Sequence, residues 1–565
     1  MPEVSHSGHQ PAAIFSQFRQ FIEAQGAWTL LLLVTATALV MYGHAAIGSN
    51  ESSYLILSKV LIESDFLSHD WETGVRLAGS GTSALFDYAI APLWYLSSDP
   101  VVIAVLARVL LTVALVLALI PLVKTMRLAY LPAALGLCLW LLWDQSIAAD
   151  EWIFGGAEKK VIAYILGFLA TKFLLEHKPY HAGVCGGLAA GAHLLVGGWL
   201  CVALALATLL QERNIGPRLL KFSITVAVCA SPFLLMSILF VTSGTESTAF
   251  FADRTTAELI TIWRNPHHAN PFLFLSDGAW LVALMVYASA LWSTWTVLEG
   301  EPRQFVSALL AALGLLWLLA ISAAALDVHF VMYLFPARIG DVLIPLIFAL
   351  TFPQAALIAS ERLLARKMMA ASASLLLLLS CVALWMLWDT RHFVVKQISN
   401  NVSSWQTMAS DTEPAFAETA EWIRNHTSAH DRFIAPGRTE WFKLYTGRPL
   451  ILTMKGSPGN AAIHEWFCRL YRFNGSQQFE KLGYALLNEV DETLQRLPEA
   501  ALKQIGSDFS AKYLMTTFAR QDLTDKLVHS SAGYHVYQLE VDTDASAQQL
   551  CMETLPADYR AAPGE

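Results

Sequence analysis

The chain has 565 residues, of which 55% are hydrophobic and only 15% are charged, and its mean hydropathy is +0.46. These values indicate a polytopic membrane protein and argue against a soluble enzyme. The net charge of −9 gives no indication of nucleic-acid binding. The seven cysteines lack the CxxC or Cys/His spacing of a structural zinc site.

Apolar segments of membrane-helix length recur along most of the chain. Residues 1–27 are mixed polar residues ahead of the first of them, so we expect a cytoplasmic segment rather than a cleavable signal. A membrane helix needs about 20 mostly apolar residues. Such runs predict spans at about 28–48, 100–123, 128–146, 159–176, 219–243, 279–298, 304–326, 341–359 and 369–390.

The apolar run 182–210 is too long for one span and is interrupted by Val196-Gly197-Gly198. Broken helices at membrane depth are tolerated where they line a cavity. We therefore expect two short helices, 182–195 and 198–210, that meet near a membrane face. Residues 28–391 then form a helical membrane domain of about eleven segments, with the C-terminal tail outside.

The basic residues of the short loops agree with this topology. With the hairpin in place they fall on one side of the membrane, which the positive-inside rule makes cytoplasmic. Without the hairpin the later loops change sides and the pattern breaks. The residues are Lys124, Arg127, Lys172, Lys178, Arg213, Arg218, Lys221, Arg303, Arg362, Arg366 and Lys367.

Two regions outside the spans have structure of their own. In the long first outer loop, about 49–99, residues 51–64 alternate apolar and polar at helical spacing and predict an amphipathic helix at the membrane interface. Residues 392–565 have the composition of a soluble α/β domain. Helices are expected there near 414–425, 461–472, 477–488 and 490–505, and strands at 432–436, 449–455, 512–517 and 534–540.

Acidic residues occur in two outer loops. Asp70, followed by Glu72, is a candidate general base for a hydroxyl or a candidate ligand for a divalent cation, although an ordinary solvated carboxylate would give the same sequence. Glu158 lies where a helix re-enters the bilayer, and a first-turn acid is its simplest interpretation. A lysine is less expected at an outer helix start, so Lys159 favours an anionic partner such as a phosphate or carboxylate.

A third outer cluster is the segment 261–271. Its prolines are expected to hold a rigid, non-helical loop that presents Arg264, His267 and His268. These side chains can bind a phosphate through charge-assisted hydrogen bonds. An interfacial loop with incidental histidines is the alternative.

The remaining outer residues are Arg338 and Asp341, spaced to pair on one helical turn, and His193 near the tip of the hairpin, which is either a packed cap or a ligand. Charge near a bilayer is costly unless it lies in water or in a protein-lined cavity. The outer clusters together therefore predict one polar site at that membrane face.

The C-terminal tail carries basic residues and two cysteines. Cys468 and Cys551 can pair if the tail faces an oxidising compartment, which sequence leaves open. The basic set faces anionic lipid, substrate or solvent, and consists of Arg438, Lys443, Arg448, Lys455, Arg469 and Arg472.

Five short motifs carry a family resemblance. They are HDWETG (69–74), GGAEKK (155–160), GAHLLVGGW (191–199), RNPHH (264–268) and RPLILTMKGSP (448–458). They are similar to a bacterial group of DUF6798-type proteins, and the whole arrangement resembles the GT-C superfamily of membrane glycosyltransferases. The resemblance implies ten or more spans, an essential acid in the first outer loop, a second acidic motif after the third span, and an extracytoplasmic C-terminal domain.

The resemblance also implies roles for individual residues. Asp70 would be the catalytic base, and Glu158 would be the second acid, with Asp150 and Glu151 as competitors. The first site reads Asp-Trp-Glu and the second loop lacks Asp-x-Asp, so a need for a divalent cation, Mg²⁺ or Mn²⁺, is left open. Arg264, His267 and His268 would stabilise the leaving phosphate.

The expected function is transfer of a sugar from a polyprenyl-phosphate donor in the lipid bilayer to an unknown acceptor. Glu72, Lys159, His193 and Arg338 are expected to help bind substrate, and the protein to lie in a bacterial inner membrane with a periplasmic C-terminal domain. One alternative is a non-catalytic GT-C-like protein of envelope glycan or lipid assembly. The other is a transporter, which predicts charges at the bilayer midplane and inverted repeats.

Overall fold

The computed structural model describes residues 25–79, 81, 83–143, 145–147, 151–213, 215–242, 254–274, 279–365, 393–406 and 416–541. These residues are mostly helical and end in a domain that contains a four-stranded sheet. The predicted fold class, a multi-pass helical membrane protein with a C-terminal α/β domain, is confirmed at this level.

Six helices of the described part are long and apolar enough to cross a membrane. They are Pro100–Thr125, Leu194–Glu212, Pro217–Phe240, Ala279–Val297, Gly300–Ala325 and Arg338–Leu363. Two shorter apolar helices, Gly26–Tyr42 and Tyr130–Trp143, and the helix Lys159–Leu175 pack beside them. The span expected at 369–390 lies outside the described residues.

The expected helical hairpin is present, but it turns at a different residue. The helices Pro179–Ala192 and Leu194–Glu212 are joined by His193 alone. Gly197 lies inside the second helix, where an added Cβ would overlap the backbone carbonyl of Ala189 in the other arm. The break expected at the glycine pair is therefore wrong: the glycine serves close packing of the two arms.

The first outer loop folds into the helices Ser49–Val60, Trp71–Ala78 and Ala84–Ile90 and the 3₁₀ turn Ala91–Tyr95. The first of these was expected as an interfacial amphipathic helix, but protein covers its polar residues. Glu51 is 1% exposed and pairs with Arg108 of a membrane helix at 2.5 Å. Ser53 Oγ donates to the carbonyl of Lys455 in the C-terminal domain at 3.3 Å. The helix thus lies between the two parts of the protein.

The segment expected as a non-helical loop around the paired histidines is also helical. Leu259–Arg264 is a π-helical turn, and Pro266 and Pro271 each begin a short helix, Pro266–Ala269 and Pro271–Phe274. Proline fits the first helical position because its missing N–H would be unpaired there. The other short helices nearby are Thr256–Glu258 and His329–Tyr333.

The segment that precedes the C-terminal domain lies against the end of the first membrane helix, just before the first outer loop. Residues 393–406 are helical, and Asn401 Nδ2 donates to the carbonyls of Val40 and Met41 at 2.8 and 2.9 Å. The domain's helices are Ala417–His426, Phe442–Thr446, Ile463–Phe473, Gly483–Arg496 and Glu499–Phe509.

The sheet of this domain has four strands, β1 Arg432–Ile434, β2 Ala511–Thr516, β3 Leu527–Ser531 and β4 Tyr534–Gln538. Their order is β1-β2-β4-β3, with β1 and β2 parallel and the other neighbouring pairs antiparallel. Its two faces enter two apolar clusters, one with Ile434 and Leu514 and the other with Phe433 and Tyr513. The sequence analysis missed β3, whose residues are mostly exposed. A 3₁₀ turn, Gln521–Lys526, precedes β3.

Residues 449–455, expected as a strand, form an extended loop with one isolated bridge, between Leu450 and Phe433. The N–H groups of Leu450 and Thr453 instead donate to the carboxylates of Asp70 and Glu72 in the first outer loop. The strand prediction was wrong because the segment's donors bind side chains of another region.

We predict that Gly197→Ala lowers the melting temperature of the purified protein, because its Cβ would push the hairpin arms apart. Overpacking of this kind costs roughly 1–3 kcal/mol. Gly198→Ala is the matched control, since a Cβ there meets nothing within 4 Å. Equal melting temperatures for the two variants would contradict the described hairpin packing.

Candidate active site between the membrane helices and the C-terminal domain

A buried lysine of the C-terminal domain lies between the two acids of HDWETG. Lys443 Nζ is 2.8 Å from Asp70 Oδ2 and 2.5 Å from Glu72 Oε2, and all three side chains are at most 2% exposed. Burial lowers the pKa of Lys443, but the two carboxylates outweigh it and raise the pKa above its usual value. We call Asp70, Glu72 and Lys443 the junction cluster.

The carboxylates of the junction cluster accept further hydrogen bonds. Asp70 caps the helix Trp71–Ala78 by accepting from Thr73 N–H at 2.8 Å, and it also accepts from Thr73 Oγ1 at 2.7 Å. Glu72 accepts from Thr453 N–H at 2.5 Å and from Thr453 Oγ1 at 2.7 Å. Gly456 is required beside it, because an added Cβ would overlap the Glu72 carboxylate. Both acids therefore join the first outer loop to the C-terminal domain.

A second charged cluster lies at the ends of the membrane helices. Lys160 Nζ is 2.6 Å from Glu151 and 3.1 Å from Glu158, and Arg338 Nε donates to Glu151. Asn50 of the first outer loop donates to Glu158 at 2.5 Å. We call Glu151, Glu158, Lys160 and Arg338 the membrane-end cluster. Arg338, expected to pair with Asp341, pairs instead with Glu151.

The two carboxylates of this cluster are buried to 1% exposure. Burial raises the pKa of Glu151, but Arg338 and Lys160 outweigh this and hold its pKa far below the usual range. Asp150, the other competitor for the second acidic position, lies outside the described residues. Of the two described candidates, Glu151 pairs with two cations and Glu158 with one, so Glu151 is the more strongly neutralised.

Two cations between these clusters have no carboxylate partner among the described residues. Arg76 Nη1 donates to the carbonyl of Ser53 at 2.7 Å and to its hydroxyl. Lys159 Nζ lies 5.2 Å from the centre of the Tyr54 ring, a cation–π contact. Both side chains are half-buried, and they lie within electrostatic reach of each other. We call Arg76 and Lys159 the open pair.

Two buried carboxyls that the sequence analysis missed lie beside these cations. Burial raises the pKa of Asp87 to about 6, against a hydrogen bond from Ser83 and the charges of Lys159 and Arg76. Burial raises the pKa of Glu440 to about 7, although Lys455 and Arg264 oppose it. The signal for Asp87 was a single acid inside an apolar run, ALFDYAI.

Glu440 and Arg76 line one small cavity, with room for roughly one water-sized group, next to the junction cluster. The first outer loop and the C-terminal domain both contribute to its wall. The lining residues are Ser53, Ile56, Glu72, Thr73, Arg76, Glu440, Lys443, Thr453 and Gly456.

Arg264 holds the loop that binds the junction cluster. Its guanidinium donates to Ser457 Oγ at 3.0 Å, to the carbonyl of Met454 at 3.1 Å and to Asn265 Oδ1 at 2.8 Å. The side chain is 6% exposed and stacks over Trp466. Its hydrogen bonds join the RNPHH segment to RPLILTMKGSP.

The paired histidines are held neutral. His267 and His268 stack with ring centres 4.1 Å apart. Burial, with Arg264 and Lys455, lowers the pKa of His267 to about 4, and burial and Arg338 lower that of His268 well below its usual value. Neutral histidines can donate one N–H each but cannot supply the positive charge expected of them.

His193 caps the second arm of the hairpin, because its Nδ1 accepts from the N–H of Val196 at 3.3 Å. It lies within electrostatic reach of Arg338 and Lys159. The structure thus brings Glu158, Lys159, His193 and Arg338 into one region.

A divalent cation that bridges Asp70 and Glu72 does not fit the junction cluster as it is arranged. Within the described ranges no three His, Cys, Asp or Glu side chains gather as a metal-binding group. Lys443 occupies the space between Asp70 and Glu72 where an ion bridging them would have to lie.

Comparisons with known proteins agree with the resemblance read from the motifs. Residues 414–473, which include Lys443 and most of the sequence between β1 and Gly483, match a domain of unknown function, DUF6798. No curated protein matches the chain.

Solved structures of ArnT and of an archaeal oligosaccharyltransferase are similar over most of the chain. ArnT from Cupriavidus metallidurans bound to undecaprenyl phosphate is 13% identical, with 93% of this chain and 100% of that chain covered and a TM-score of 0.47. The Archaeoglobus fulgidus oligosaccharyltransferase AglB, in complex with an inhibitory peptide and a dolichol-phosphate, is 10% identical, with 87% and 69% covered and a TM-score of 0.48. Another structure of that enzyme, with Zn and sulfate, is 12% identical, with 86% and 67% covered and a TM-score of 0.44.

We predict that Lys443→Met strongly destabilises the protein, because it leaves two buried carboxylates without a cation. Breaking a buried ion pair from one side costs about 3–5 kcal/mol. Thermal unfolding should show a large fall in melting temperature. Lys503→Met, which removes a partly exposed lysine of the same domain that forms only surface ion pairs, should change it little. Equal effects of the two substitutions would show that the junction cluster does not stabilise the fold.

Proposed function

We propose that the protein is a membrane glycosyltransferase that takes a sugar from a polyprenyl-phosphate donor at the outer membrane face and passes it to an acceptor hydroxyl. The observation that carries the proposal is the open pair. Two partly buried cations of a membrane protein, which make no ion pair with a described residue, form a site that an anion would stabilise.

A phosphate attached to a lipid suits this site. Lys159 is the first residue of a membrane helix, so an anion beside it lies at the level where a lipid headgroup meets the hydrocarbon. The same helix start presents its N-terminal dipole to the anion. Arg76 keeps donors beyond those that bind Ser53, and arginine binds phosphate through such pairs of N–H groups.

The chemistry then follows from where the charges lie. The acceptor oxygen bonds to the anomeric carbon of the sugar, and the bond from that carbon to the phosphate oxygen breaks. The electron pair leaves with the polyprenyl phosphate, whose charge the open pair stabilises. The GT-C resemblance of the motifs supports glycosyl transfer as the reaction class.

The roles that the resemblance gives to Asp70 and Glu158 stay predictions. Each carboxylate bonds to a buried lysine, which favours a role in positioning the first outer loop. Arg264 likewise positions the loop 454–457. The neutral His267 and His268 would contribute N–H donors to the phosphate rather than charge.

The proposed location is a bacterial inner membrane with the C-terminal domain in the periplasm. The positive-inside pattern supports this orientation. Cys468 of the C-terminal domain is disulfide-bonded, and disulfides persist in oxidising compartments such as the periplasm.

A non-catalytic lipid-binding protein of envelope assembly is the second candidate. The observation that favours it is that Asp70, Glu72, Glu151 and Glu158 all bond to cations, which leaves none of these acids free as a base. This candidate predicts binding of lipid phosphate without release of polyprenyl phosphate from labelled lipid-linked sugars. The junction cluster, the membrane-end cluster and the open pair lie at one end of the helices rather than at their middle, which does not favour a transporter.

We predict that Lys159→Gln weakens binding of undecaprenyl phosphate to the purified protein by roughly 10- to 100-fold, the worth of one charge-assisted hydrogen bond. No hydrogen bond or ion pair of Lys159 is lost by the substitution, so the fold should survive. The binding is measured by native mass spectrometry in nanodiscs.

The matched control for this measurement is Lys178→Gln, which removes a half-exposed lysine from the opposite, cytoplasmic side. It should bind the lipid as the wild type does. Wild-type affinity in Lys159→Gln would contradict the phosphate site.

A further inference from the structure

A polar cavity lies where the first outer loop meets the C-terminal domain, and the chemistry above gives it no occupant. It is walled by Arg76 and Ser53 from the loop side and by Glu440 and Thr453 from the domain side. Arg76 belongs to this cavity and to the open pair. The cavity is therefore next to the proposed phosphate, on the side of the C-terminal domain.

The carboxyls of this cavity differ in what they bind. Glu72 accepts three hydrogen bonds, from Lys443 and from the N–H and hydroxyl of Thr453. Glu440 makes no ion pair with a described residue, and its partner is the backbone N–H of Lys455. Glu440 thus keeps oxygen lone pairs that can accept a proton, whereas both carboxylate oxygens of Glu72 already accept hydrogen bonds.

We propose that this cavity receives the hydroxyl of the acceptor and that Glu440 is the catalytic residue that removes its proton. The inference rests on the proposed function. In the step, the acceptor O–H bond breaks, its proton moves to Glu440, its oxygen bonds to the anomeric carbon, and polyprenyl phosphate leaves with the electron pair. Glu440 ends protonated and returns its proton to solvent.

The environment of Glu440 suits this role. Burial and the nearby Glu72 carboxylate raise its pKa to about 7, and a general base works best when its pKa is near the working pH. Lys455 and Arg264 limit the rise, so that part of the Glu440 population is ionised at neutral pH. Transfer should increase as the pH rises through about 7, because the carboxyl must lose its proton to act as a base.

The cavity also limits the acceptor. The space is small, with room for roughly one water-sized group, so it admits only a hydroxyl-bearing end of a larger molecule. Its lining has charged groups beside the hydroxyls of Ser53, Thr73 and Thr453, each of which already donates a hydrogen bond within the protein. These features fit a sugar or hydroxylated headgroup better than an apolar acceptor.

The test compares Glu440→Gln with the wild type, in nanodiscs that hold labelled undecaprenyl-phosphate sugars and a membrane extract as the source of acceptor. Release of undecaprenyl phosphate is measured between pH 5 and 9, and undecaprenyl phosphate binding is measured separately. We expect Glu440→Gln to bind the lipid normally and to release it roughly 100-fold or more slowly, the usual effect of losing a general base. Glu421→Gln, an exposed acid of the same domain, is the matched control and should behave as the wild type.

Each result decides the inference. Release by Glu440→Gln within about twofold of the wild type would overturn it. If that variant fails to fold, Glu440→Asp decides: slower release with a shifted pH midpoint supports the role, and an unchanged pH profile overturns it. A wild type that binds undecaprenyl phosphate but releases none from the sugars also overturns the role of Glu440 while leaving the lipid site intact. A wild type that does not bind the lipid overturns the proposed function itself.

Discussion

The arrangement of the outer region depends on a lysine that is buried between two carboxylates. Lys443 comes from the C-terminal domain, and Asp70 and Glu72 come from the first outer loop, more than 370 residues away in sequence. A buried charge without partners is costly, so these three groups are stable only together. The contact therefore fixes the C-terminal domain over the membrane helices, and the cavity beside Glu440 exists because the two parts are held in this position.

The same electrostatic rule separates the structural charges from those available for function. Glu51, Glu151 and Glu158 are each matched by a buried cation. Arg76 and Lys159 of the open pair form no ion pair with a carboxylate of the described residues, although burying a cation without a counter-charge is costly at their position too. Two cations without carboxylates are stable in such a place if a ligand supplies the negative charge. The phosphate site is therefore placed at Arg76 and Lys159. Arg264 is not chosen because Nε, Nη1 and Nη2 of its guanidinium already donate to protein groups.

Sequence predicted where the polar residues gather but not which of them are free. Hydropathy and basic loops located the membrane helices and placed Glu158, Lys159, His193 and Arg338 at one face, because lipid makes that sorting strict. The role of Lys443 could not be derived, since its partners come from a distant loop, although a single lysine among Phe442, Leu444 and Tyr445 was a signal of burial. Arg76, Asp87 and Glu440 were missed because only the packing shows their lack of carboxylate or cation partners.

The remaining errors have a common physical origin. Gly197 was taken as a helix break, but its lack of a side chain serves contact with Ala189. Residues 449–455 have the composition of a strand, but their N–H groups bind Asp70 and Glu72. In both cases a tertiary contact overrides the local pattern, and such contacts join three of the five motifs: RPLILTMKGSP bonds to HDWETG and to RNPHH.

The most direct test of the central claim is a cryo-electron microscopy structure of the protein in nanodiscs with undecaprenyl phosphate. The account predicts density for the phosphate between the guanidinium of Arg76 and the ammonium of Lys159, with the isoprenoid chain leaving into the bilayer. Phosphate density at another position, such as beside Arg264, with Arg76 and Lys159 unchanged and unliganded, would contradict it.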